Sequence, residues 1–92
     1  MKFEWNEDKR LSNIRDHGID FVDVSQLFDG RPVFTYASPR NDEERWGTVG
    51  LVSEKFYLVV WTKRNERMRI ISAYRADDWE IREYRKLFGE AA

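Results

Sequence analysis

Phe56 to Thr62 reads FYLVVWT, an almost unbroken apolar and β-branched run in a chain where 36% of residues are charged. A run of this kind suits a strand enclosed on both faces, and it predicts the central strand of a sheet. The remaining segments must then be arranged as neighbours or covers of that strand. Arg45 to Val52 is strand-like, Lys63 to Glu66 makes a turn, and Arg67 to Tyr74 returns as a further strand. Pro32 to Tyr36 reads as a short edge strand, where proline is tolerated at the start. Lys2 to Trp5 alternates as another short strand with Phe3 and Trp5 on one face. Ser38 to Asp42 is a loop.

Three helices complete the pattern. Asn6 is placed to cap the first, with Glu7 and Asp8 in the first turn where the helix dipole favours acids. Leu11 and Ile14 lie on one side of it, and Gly18 terminates it. Asp20 caps a second, with Phe21, Val24, Leu27 and Phe28 as its buried stripe and Asp29-Gly30 as its stop. The third runs from Asp77 or Asp78 to Leu87, with Trp79, Tyr84, Leu87 and Phe88 as anchors. The expected fold is therefore α+β: a small antiparallel sheet of about four strands, with two N-terminal helices and one C-terminal helix packed on it. Ninety-two residues without a linker or repeat predict one domain over 1–92.

Composition narrows the chemistry. With no cysteine and one histidine, neither a disulfide scaffold nor a thiolate zinc site is available. No cofactor is expected, because the phosphate-cradling and nucleophile-elbow motifs are absent. The opening MKFEWNEDKR lacks the apolar stretch of a signal peptide and no run reaches membrane-spanning length, so a cytoplasmic protein without membrane contact is expected. The net charge of −1 excludes a uniformly basic coat but not a local patch.

Such a patch lies in KRNERMRIISAYR, residues 63–75, with five cations against Glu66 alone. Strict strand alternation sets Arg67, Arg69, Ile71, Ala73 and Arg75 on one face and Met68, Ile70, Ser72 and Tyr74 on the other. Arginine forks suit phosphate, although the same row also suits a solvated face of structural ion pairs. Lys9, Asn13 and His17 recur every four residues and share a side of the first helix, either lining a site or forming its wet side. Glu80 and Tyr84 make a similar pair on the last helix, readable as base and proton relay or as packing.

Three stretches in order carry a family resemblance. They are Phe3, Trp5, Asn6, Lys9, Asn13 and His17-Gly18-Ile19 with Phe21; Glu44 to Gly50 (ERWGTVG); and Arg69 to Ala76 (RIISAYRA), followed by Glu80 and Tyr84. Over roughly residues 3 to 84 the chain resembles the BrnT toxins of type II toxin–antitoxin pairs. It departs from them at Tyr74, Asp77, Asp78 and Trp79, where that family tends to basic residues. The resemblance implies a RelE-like fold and metal-independent RNA cleavage that blocks translation. It further implies neutralisation by a BrnA-like ribbon-helix-helix antitoxin, with operator DNA bound only through the complex. A non-catalytic module that only binds such a partner and co-represses its operon is the rival reading. Metal-free cleavage uses the ribose 2′-OH as nucleophile, so the protein must supply a base, an acid and cations for the phosphoryl oxygens. Arg69 and Arg75, with Arg67 or Arg45, are candidates for the cations. His17, Lys9, Glu80 and Tyr84 are candidates for proton transfer, Glu80 being the preferred base. Lys9, Arg45, Lys63, Arg64 and Arg67 are the expected RNA-binding residues.

Overall fold

A computed structural model describes residues 2–89; Met1 and residues 90–92, the ends of the domain expected over 1–92, lie outside the described residues. The elements run β1 (Phe3–Glu4), α1 (Glu7–His17), α2 (Phe21–Val24) continued by a 3₁₀ turn (Ser25–Phe28), β2 (Phe34–Ala37), β3 (Trp46–Val52), β4 (Lys55–Arg64), β5 (Arg67–Arg75) and α3 (Asp78–Phe88). The fold is α+β, with the FYLVVWT run in the middle of the sheet order β1-β5-β4-β3-β2.

Two details of the expected sheet are corrected. It has five strands rather than about four, and it is mixed rather than antiparallel, because β1 pairs parallel to β5 through Phe3↔Met68 and Glu4↔Arg69. The crossover back to the sheet edge is what makes this pairing parallel. The helical signals act as the sequence implies at their ends. The Asn6 side chain accepts the Lys9 N–H at 3.1 Å, and the Asp20 side chain accepts the Val22 N–H at 3.0 Å. Gly18, at φ 69°, closes α1 in the left-handed conformation that glycine adopts without a Cβ penalty. The second helix is shorter than expected, tightening into a 3₁₀ turn after Val24.

One face of the sheet carries α1 and α2, and there Ile19, Phe21, Val24 and Leu27 pack on Val52, Val59, Ile70 and Ala73. The other face carries α3, whose Tyr84 lies edge-on to Phe56 and against Phe88. Of the other expected anchors of α3, Trp79 packs on Phe34 and Tyr36 and Phe88 on Tyr84 while remaining part-exposed, and Leu87 faces solvent, as do Leu11 and, in part, Ile14 on α1. Among the described residues, no helix is long and apolar enough to cross a membrane.

The largest correction falls on β5. Ile70 pairs with Trp61 and Ser72 with Val60, so Ile71 is an extra residue without a partner in the ladder. This β-bulge reverses the alternation beyond it. Arg67, Arg69, Ser72 and Tyr74 therefore share the α3 face, while Met68, Ile70, Ala73 and Arg75 point to the α1 side. The expected row of three arginines is cut, and Tyr74 takes the place that alternation reserves for Arg75.

Candidate active site

Among the described residues, no strand pairs with the outer edge of β5 beyond Glu4, and α1 lies along it. Asn13, only 6% exposed, joins the two: its Oδ1 accepts the Ala73 N–H at 3.1 Å and its Nδ2 donates to the Ile19 carbonyl at 2.9 Å. Of the series Lys9, Asn13 and His17, the middle member is thus a buried brace. A cavity opens at each of the other two.

The first cavity, about 160 Å³, is lined by Lys9, Arg45, Arg64 and Arg69 with Glu43, Asn6 and Thr62. Four cations here face one carboxylate in a chain whose net charge is −1. Arg45 pairs with Glu43 at 2.8 Å and Arg69 with Glu4 at 2.7 Å. Among the described residues, Lys9 and Arg64 have no such partner, so their charge is available to an anion.

The second cavity, about 520 Å³, is lined by His17, Ile19, Leu58, Tyr74, Arg75 and Asp77. The His17 and Tyr74 rings meet edge to face with centroids 4.8 Å apart. The Arg75 guanidinium lies over the Tyr57 ring at 5.5 Å, and its Nε donates to the Phe56 carbonyl at 3.2 Å. These contacts fix the stem of Arg75 and leave the guanidinium without a carboxylate partner among the described residues.

The expected catalytic residues do not meet in one place. Arg69 lines the first cavity and His17 and Arg75 the second, while Glu80 and Tyr84 line neither. Glu80 is 1% exposed, with its carboxylate accepting the Tyr36 hydroxyl at 2.5 Å and the Asp77 N–H at 2.7 Å as part of the α3 capping box. Burial and this carboxylate push the Tyr36 hydroxyl far above its ordinary pKa. Tyr84 is packed at 2% exposure, and burial raises its hydroxyl pKa as well. Of the expected RNA-binding residues, Lys9, Arg45 and Arg64 come together, whereas Lys63 and Arg67 sit at the β4–β5 hairpin end outside both cavities. Sequence reasoning did not give Asp77 and Tyr74 a place in the cavity wall. Their position follows from the bulge and from the entry of α3, neither of which has a short-range motif.

The model of the BrnT ribonuclease toxins of type II toxin–antitoxin systems matches residues 5–80. The chain belongs to this family. No curated protein matches the sequence. The matched span holds every residue lining the two cavities, and it ends at Glu80, before Tyr84. Membership in the BrnT family makes the chain a ribonuclease toxin of a type II pair, with an antitoxin as its partner.

Proposed function

We propose that this BrnT toxin cleaves RNA without a metal ion, at the cavity shared by His17 and Arg75. The observation that carries the reading is that sharing: one imidazole, whose two ring nitrogens can donate and accept hydrogen bonds, lines the same cavity as one permanent cation. In the reaction, the ribose 2′-oxygen attacks the adjacent phosphorus and the P–O5′ bond breaks. The 2′ proton passes to His17, and a proton from solvent returns to O5′. The products are a 2′,3′-cyclic phosphate and a 5′-hydroxyl. Arg75 offsets the charge that builds on the phosphoryl oxygens. Lys9, Arg45, Arg64 and Arg69 hold the RNA backbone beside the reacting centre, with Lys63 and Arg67 extending the positive surface at the hairpin. Glu80 and Tyr84 act on this arrangement through packing and the capping of α3 rather than at the reacting atoms.

The toxin's target is RNA needed for translation in the cytoplasm, and its antitoxin is of the BrnA-like ribbon-helix-helix kind. Operator DNA is bound by the complex, since a chain at −1 has little non-specific affinity for the duplex by itself. The test is cleavage of a short RNA in EDTA by purified protein. His17→Gln and Arg75→Gln should each slow the reaction by about a hundredfold or more, within the range removed with a positioned proton-transfer group or an oxyanion partner. Cyclic-phosphate ends should accumulate in the wild-type reaction. Intact RNA with the wild-type protein, or full activity in both variants, would sink the reading and leave the partner-binding module in its place.

A further inference from the structure

The second cavity is larger than a phosphate needs, and its walls are of two kinds. His17 and Arg75 suit the reacting phosphodiester, while Ile19, Leu58 and the 37%-exposed Tyr74 make an apolar wall beside them. Leu58 is the cross-strand partner of Tyr74, so these two side chains stand next to each other on one sheet face. The His17 ring, set at 71° to the Tyr74 ring, packs against it and limits its movement. The bulge at Ile71 puts the Tyr74 ring on the same face as Arg64 and Arg69 of the cationic cavity. A strand of RNA held by those cations therefore meets an aromatic surface as it reaches Arg75.

Asp77 decides what rests on that surface. It is the only acid lining the cavity, it is exposed, and it has no cationic partner among the described residues. Its carboxylate would repel a phosphate but would accept N–H groups. Unpaired RNA bases are recognised by stacking on aromatic rings and by hydrogen bonds to the Watson–Crick edge. Guanine alone presents two neighbouring donors on that edge, N1–H and the N2 amino group, and these match a carboxylate. The capping box of α3 fixes where Asp77 stands: its N–H is held by Glu80 Oε1 at 2.7 Å and its carboxylate accepts the Glu80 N–H, which leaves its remaining lone pairs for the base.

We propose that the His17–Arg75 cavity is also a guanine-binding site, with the base stacked on Tyr74 and its Watson–Crick edge read by Asp77, next to the phosphate that is cleaved. This rests on the ribonuclease reading for the identity of the neighbouring phosphate, but its test can be made without cleavage. The probes are guanosine and adenosine 3′-monophosphates, titrated into the protein while the His17 and Tyr74 ring signals are followed by NMR. The guanine nucleotide should bind about tenfold more tightly than the adenine one. Tyr74→Ala should weaken it about tenfold, the scale of one lost stacking partner, and Tyr74→Phe should keep it. Asp77→Asn retains a good N-cap and should erase the preference between the bases. Equal affinity for the two nucleotides, or no effect of Tyr74→Ala in a folded variant, would overturn the guanine site even if RNA is cleaved. Preference for the guanine nucleotide by a protein that leaves RNA intact would uphold the site and refute only the catalytic reading.

Discussion

Asn13 is a single amide that ties α1 and the Ile19 turn to the edge of β5, and its loss should be felt in stability. Asn13→Ala strips partners from the Ala73 N–H and the Ile19 carbonyl. Two buried groups left unsatisfied cost about 2–4 kcal/mol together, which urea denaturation would measure; a change under about 0.5 kcal/mol, typical of surface positions, would contradict the brace. Tyr36 and Glu80 form the other decisive pair. Gly47 makes it possible, since a Cβ there would lie 2.7 Å from the Tyr36 ring. The folded protein raises the Tyr36 pKa, so it binds that proton more tightly than the unfolded chain does. The stabilisation is complete below the ordinary tyrosine value of about 10 and is lost as pH climbs above it. Tyr36→Phe should therefore destabilise the protein at pH 7 by about 1.5–3 kcal/mol, through the lost bond to a buried carboxylate. It should also flatten the fall in stability above pH 10 to the part due to Tyr84, whose pKa is also raised. An alkaline limb as steep as that of wild type would remove Tyr36 from the account.

At the level of elements, the sequence was most legible where a local rule acts alone. The caps at Asn6, Gly18 and Asp20 work through side chains or backbone within a few residues, and all three are where the residues imply. The central position of β4 was readable because burial on both faces requires an apolar run. The candidate site was readable only in part. Lys9, Arg45, Arg64 and Arg69 collect in one cavity, yet His17 and Arg75 gather in another, because period-two counting across residues 67–75 takes no account of an extra residue. The sole trace of the bulge is the adjacent pair Ile70-Ile71 ahead of Ser72-Ala73, which interrupts the alternation of Met68 and Ile70. A pair of substitutions separates the two registers. Alternation puts Ile71 and Ala73 on one face, whereas the bulge sends Ala73, fully buried, into the core and leaves Ile71 partly exposed. Ala73→Glu should then cost more than about 3 kcal/mol or prevent folding, by burying an unpaired charge, and Ile71→Glu about 1 kcal/mol. Equal costs in a denaturant titration would favour the unbroken strand.

The whole molecule is nearly neutral but unevenly charged, and its affinity for RNA should reflect the local surface rather than the total. Binding of an uncleavable 2′-deoxy oligonucleotide should weaken linearly with log salt concentration. Neutralising Lys9 or Arg64 should lower the magnitude of that slope by about 0.7 each, the contribution of one contact to a single-stranded phosphate. Slopes unchanged in both variants would move the backbone contacts elsewhere.

The β1–β5 pairing also sets an order in time. Glu4 meets Arg69 across 65 positions of sequence, and both cavities need α1 laid against β5. During synthesis the first helix therefore leaves the ribosome long before the strand that completes either cavity. Under the proposed mechanism, a partly made chain that has His17 but not yet Arg75 lacks the complete site. Both cavities exist only once β5 has been made, and on this reading it is from that moment that an antitoxin must be at hand.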